Sequence, residues 1–294
     1  MYRYEVLDVF TEERFSGNPL AVFPEADRIP ASLFQSIARE MNLSETIFIL
    51  PPSNDACDYR FRIFTPAREL DFAGHPVIGA ACALAAKAET SALNLRAELN
   101  AGKVEVTVTG QGDLYHARLQ APSTPVPGPP PPPAPDLARI LGIETGIVSH
   151  PAAYSCGNPF LFVELDSRQT LSSIRLNLAE FEGLLLDYWA PEIMAFVVEK
   201  NQVHARMFAP RLGIPEDPAT GSAVAALAGY LKDVKLESPT SATATHSFIV
   251  FQGYDMGRPS RIDLEFRSKS DVVDAVFIGG CSVPVAHGTF LAGQ

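Results

Sequence analysis

The spacing of apolar and polar positions changes several times along the chain, and each change marks an element. Tyr2, Tyr4 and Val6 alternate with charged residues, and Leu20-Ala21-Val22-Phe23 follows Gly17-Asn18-Pro19, which predicts two strands joined by a turn. Leu33, Phe34, Ile37, Ala38 and Met41 recur at helical spacing, so 30–41 reads as an amphipathic helix. Strands are expected over 47–50, 60–64, 93–99, 104–108 and 114–119, and again over 248–253, 262–266 and 272–278, with Gly257-Arg258-Pro259-Ser260 as a turn. Two stretches fit neither pattern. Val77 to Ala86 and Ala223 to Leu231 are apolar all round and rich in alanine, as buried helices are.

Each of these helices stands behind a loop containing proline, and the two loops correspond. Phe64-x-Pro66 matches Phe208-x-Pro210 at a separation of 144 residues, and Ala73-Gly74-His75 matches Thr220-Gly221-Ser222 at 147. Upstream, Gly17-Asn18-Pro19 matches Gly157-Asn158-Pro159 at 140. Three matches in one order with little drift indicate a duplicated domain. The expected division is 1–127 for the first half and 136–294 for the second, whose last strand is able to return to the first domain. Between them, residues 121–135 hold nine prolines in fifteen positions and read as a stiff extended linker. Asp136 is expected to cap a helix that ends at Gly142.

Composition narrows the partners. The net charge is −11 with no basic run, which disfavours nucleic acid and anionic membrane because both require clustered positive charge. Arg3, Glu5 and Asp8 interrupt the amino terminus before an apolar signal region could form, and no uncharged run is long enough to span a bilayer, so a soluble cytoplasmic protein is expected. Cys57, Cys82, Cys156 and Cys281 are widely spaced and suggest neither a disulfide framework nor a zinc site.

The candidate chemistry lies at the two helix starts. The first turn of a helix leaves N–H groups unpaired and carries partial positive charge, so two such starts suit a small carboxylate. Glu45, His75, Asp217 and Ser222 are the polar side chains near them. Each also has a structural reading: Glu45 as a solvated loop acid, His75 and Ser222 as caps, Asp217 as an Asx-turn residue. Cys156-Gly157-Asn158 looks like a reactive-cysteine turn, but Ser16 fills the same place in the first copy, so the turn is the shared feature.

Five motifs in order resemble the PhzF-like (phenazine biosynthesis) family: Ser16 to Phe23; Asn42-Leu43-Ser44-Glu45-Thr46; Phe64-Thr65-Pro66 through Ala73-Gly74-His75-Pro76; Asp217 through Ala223; and Gln252-Gly253 with Gly257-Arg258-Pro259-Ser260. The resemblance implies the diaminopimelate-epimerase-like α+β fold, two pseudo-symmetric domains, each a mostly antiparallel sheet wrapped around a central helix, with the active site between them. It implies an isomerase of the trans-2,3-dihydro-3-hydroxyanthranilate type without metal or organic cofactor, Glu45 being the acid–base and His75 and Asp217 the supporting catalytic groups. Ser44, Ala73, Gly74, Thr220, Gly221 and Ser222 would bind substrate. Epimerases of this fold carry catalytic cysteines where this chain has Ala73 and Thr220, which excludes a two-thiol mechanism. Burial of Glu45 would raise its pKa toward neutrality. A homodimer is implied as well. An enzyme of the same fold acting on another small amino or hydroxy acid, and a non-catalytic ligand-binding protein, are the competing readings.

Overall fold

Leu20 to Phe23 is apolar at every position because its strand is covered on both faces. In the computed structural model, which describes residues 1–236, 243–269 and 272–291, the chain divides into two units. One comprises Met1–Pro122 with Phe277–Gln294, the other Ser123–Val276.

The first unit contains β1 (Tyr2–Val9), β2 (Asn18–Phe23), helix α1 (Phe34–Met41), β3 (Glu45–Leu50), β4 (Tyr59–Phe64), β5 (Glu69–Leu70), helix α2 (Gly74–Lys87), β6 (Ala92–Leu99), β7 (Gly102–Gln111) and β8 (Leu114–Gln120). Most pairings are antiparallel, with β2–β3 and β4–β6 parallel. The amphipathic α1 lays Phe34, Ile37 and Ala38 on Ala21, Phe23, Phe48 and Phe64 of the sheet. Helix α2 is buried from Gly74 to Ala85 and packs against β1, β2, β3, β7 and β8. It comes so close that a Cβ on Gly79 would stand 2.5 Å from Leu20 Cδ2 and 2.8 Å from Val9 Cγ2, so any larger residue would displace these core side chains.

The second unit repeats the plan with β9 (Val126–Pro127), α3 (Ala134–Leu141), β10 (Ala152–Ser155), β11 (Pro159–Glu164), α4 (Arg168–Ser173), α5 (Leu178–Leu184), β12 (Ile193–Glu199), β13 (Gln202–Ala209), β14 (Ile214–Asp217), α6 (Gly221–Tyr230), β15 (Ala244–Gln252) and β16 (Ser260–Lys269). Here β11–β12 and β13–β15 are the parallel pairs, mirroring those of the first unit. Helix α6 is buried throughout, against β10, β11 and β16. On the outer face α3 and α5 pack Leu137, Ile140, Leu141 and Phe181 over Leu161, Val163 and Ile193.

Two local expectations differ from what is observed. The proline-rich stretch enters the sheet at β9, where Val126 and Pro127 pair with Ser155 and Tyr154. Pro127 is tolerated because a strand at the margin of a sheet need not donate on both sides. Asp136 lies inside the first turn of α3, not at its cap, because the prolines at 133 and 135 start the helix three residues earlier, with Pro133 in the cap position. Among the described residues no helix is long and apolar enough to cross a membrane.

Candidate active site

In the first unit, parallel pairing of β3 with β2 sets Glu45 opposite Leu20 at the start of its strand. One residue earlier, Ser44 donates its hydroxyl to Asn18 Oδ1 at 2.8 Å, tying the Asn42 to Thr46 segment to the Gly17-Asn18-Pro19 turn. That turn needs Gly17, whose φ of +65° is left-handed and whose Cβ would meet Val9 O at 2.4 Å. Helix α2 starts at Gly74 from an extended Ala73, so His75 and Pro76 occupy its first turn, where a missing N–H breaks no helical bond. His75 is buried, and its Nε2 stands 3.3 Å from Glu45 Oε2, just beyond a well-formed hydrogen bond. The Glu45 side chain is only 13% exposed. Burial pushes the His75 imidazole down to about 3, so at neutral pH the carboxyl group faces an uncharged ring.

In the second unit the loop before α6 is held by three groups. Asp217 ends β14, buried, in register with Met207 of β13. The Thr220 hydroxyl donates to Asp217 Oδ2 at 2.5 Å. Gln252, fully buried at the end of β15, donates to the Asp217 carbonyl at 2.6 Å and to Thr220 Oγ1 at 3.0 Å, and accepts the Thr220 N–H at 3.2 Å. Gly253 then turns the chain at φ +78°, a Cβ there standing 2.3 Å from Arg258 O. Behind the loop, Arg206 grips Glu216 through a fork of 2.8 and 2.7 Å and donates to the Leu171 and Ile174 carbonyls. Thr220 is the N-cap of α6 by backbone position, without a capping side-chain bond, and Gly221 and Ser222 follow in the first turn.

Within the first unit the structure thus brings Glu45 and His75 together, with Ser44, Ala73 and Gly74 flanking them in sequence. Within the second it brings Asp217 and Thr220 together at the head of the helix that Gly221 and Ser222 begin. Ser222 and His75 are inside their helices and cap neither. Sequence reasoning passed over Gln252 and Arg206. Gln252 was visible only as part of a motif, and no local pattern distinguishes a buried strand-end glutamine from an exposed one. Among the described residues no group of three or more His, Cys, Asp or Glu side chains is arranged to hold a metal ion.

The phenazine biosynthesis-like protein family matches residues 7–288. An uncharacterised isomerase of Mesorhizobium japonicum is 36% identical over 297 residues, covering 97% of this chain and 97% of its own. The trans-2,3-dihydro-3-hydroxyanthranilate isomerase of Pseudomonas aeruginosa is 35% identical, covering 98% of this chain and 99% of its own. Among solved structures, the Bacillus anthracis phenazine biosynthesis protein of the PhzF family superposes with a TM-score of 0.86 at 23% identity over 99% of each chain, a likeness of fold.

Proposed function

The chain belongs to the phenazine biosynthesis-like family and is an isomerase of that family, and on that premise we propose that it shifts a proton on a small cyclic amino acid of the trans-2,3-dihydro-3-hydroxyanthranilate type. Glu45 is the acid–base: it takes a proton from an activated ring carbon and returns it to another. His75, uncharged beside it, and Asp217 hold the amino and hydroxyl groups of the substrate. The N–H groups opening α2 and α6, at Gly74, Gly221 and Ser222, suit its carboxylate. The reaction so written needs neither metal nor organic cofactor. The reading extends to a cytoplasmic homodimer, for which sedimentation of the purified chain is the test.

The observation that carries the proposal is the 3.3 Å approach of a nearly buried carboxyl group to a buried neutral imidazole. A solvated loop acid would have no such neighbour. Replacing Glu45 by Gln keeps the shape and removes the proton carrier. Turnover of trans-2,3-dihydro-3-hydroxyanthranilate and incorporation of solvent deuterium should both fall below detection while the melting temperature holds. A Glu45→Gln variant that still exchanges deuterium at the wild-type rate would overturn the assignment.

A further inference from the structure

Gln252 fixes the direction of the hydrogen bonds that link it with Thr220 and Asp217 in the loop before α6. Its side-chain oxygen faces the Thr220 N–H, an obligate donor, so the orientation of the amide is determined. Its nitrogen therefore points its two hydrogens at two acceptors, the Asp217 carbonyl and Thr220 Oγ1. With a donor already entering Oγ1, the proton of the Thr220 hydroxyl is left to the partner on its other side, Asp217 Oδ2 at 2.5 Å. The bonds run one way, from amide to hydroxyl to carboxylate, and each polarises the next.

We infer that Gln252 and Thr220 are positioning residues that hold the Asp217 carboxylate ionised and oriented. The inference rests on the reading of Asp217 as a group that touches substrate, which gives the orientation its purpose. Both polar donors of Thr220, its hydroxyl and its backbone N–H, are engaged inside the loop. Its role is thus to orient Asp217, and substrate contact falls to Gly221 and Ser222. Gln252 has no solvent-exposed surface, and its side-chain hydrogen bonds run to these two neighbours.

The test titrates the Asp217 carboxyl carbon by NMR in full-length protein labelled with carbon-13 aspartate, the resonance being assigned by its loss in Asp217→Asn. Turnover of trans-2,3-dihydro-3-hydroxyanthranilate is measured on the same samples. Thr220→Val keeps the shape and deletes the donor, so the Asp217 midpoint should rise by about one pH unit and kcat should fall about tenfold with KM little changed. Thr220→Ser restores the hydroxyl and should return both to wild type, a rescue that a purely structural threonine would not require. Gln252→Met, measured alongside, keeps the length of the side chain and frees the hydroxyl to turn away, and a smaller rise is expected. Folded Thr220→Val and Gln252→Met proteins that titrate as wild type would overturn the inference, as would a Thr220→Ser protein that keeps the raised midpoint. Normal turnover by Asp217→Asn would remove the substrate-contact reading while leaving the titration to decide the hydrogen-bond chain, so the two failures are distinguishable.

Discussion

His75 shows how burial and chemistry meet at a single residue. The imidazole is uncharged in the folded chain down to about pH 3, whereas in the unfolded chain it protonates near its ordinary 6.5. Between those values the unfolded state binds a proton that the native state does not, so stability falls as pH falls. The contribution is complete above pH 6.5 and is lost progressively toward pH 3, amounting to at most roughly 5 kcal/mol at 1.36 kcal/mol per pH unit. Urea unfolding of wild type at a series of pH values from 7 to 4 should show this slope, and His75→Gln should flatten it. Equal slopes in the two proteins would mean that the ring is protonated in the native state. Glu45 and His75 were both legible as candidates because each sits in a motif beside an element boundary. That they belong to one site followed only from the family resemblance; spacing along the chain does not show it, since their 3.3 Å approach depends on β3 lying parallel to β2 and on the close packing of α2 at Gly79.

At the scale of elements, the duplication carries a device that the motif matches had not revealed. Arg62 in β4 forks onto Glu69 in β5 at 2.7 Å through two bonds, as Arg206 in β13 forks onto Glu216 in β14. The residues lie at the same separations as the loops, 144 for the arginines and 147 for the glutamates. Each guanidinium also lies over a phenylalanine at matching positions, Arg62 over Phe64 at 5.2 Å and Arg206 over Phe208 at 5.1 Å. The clamp ties the short strand that leads toward each central helix to the strand before it. A strand of two residues such as β5 has no readable period, so the pairing was hidden although both partners were in plain view. The two clamps differ in burial, with side-chain exposures of 23% and 26% for Arg62 and Glu69 against 8% and 15% for Arg206 and Glu216. Removing one partner of a buried pair leaves the other charge poorly compensated; Asp255 at 3.9 Å and the Leu171 and Ile174 carbonyls still face Arg206, so Glu216→Gln should cost about 3 kcal/mol, at the low end for a broken buried pair. Glu69→Gln should cost about 1 kcal/mol, because water and Asn100 remain beside its site. Chemical denaturation of the two variants checks the order, and equal losses would show that burial does not set the value of the clamp.

For the whole molecule, the first unit is completed only by the end of the chain. The strand Val272–Phe290 pairs with β1 from Tyr2↔Phe290 to Val9↔Ser282 and with β8 from Phe277↔Gln120 to Ser282↔Tyr115. Its apolar pattern was readable only to residue 278, because Gly279-Gly280, Pro284 and Gly288 look like breakers. Tertiary context overrides them. Pro284 falls where the register shifts between Val6 and Leu7, a place where a ladder bond is already interrupted, and Gly288 lies under the Tyr4 ring, which a Cβ would meet at 2.6 Å. The two partner strands supply the hydrogen bonds and the cover that the sequence of this segment lacks by itself. Without it, β1 and β8 would each present a row of unpaired N–H and C=O groups, and such edges aggregate. A chain ending at residue 276 keeps Glu45, His75 and every strand from β1 to β16, so a sequence-local view of folding expects the first half to survive. The pairing predicts otherwise: the truncated protein should be insoluble, or should lose the dispersed amide signals of β1 and β8 while those of the second unit remain. A soluble, cooperatively unfolding 276-residue chain with dispersed β1 signals would show that the first unit closes without its last strand.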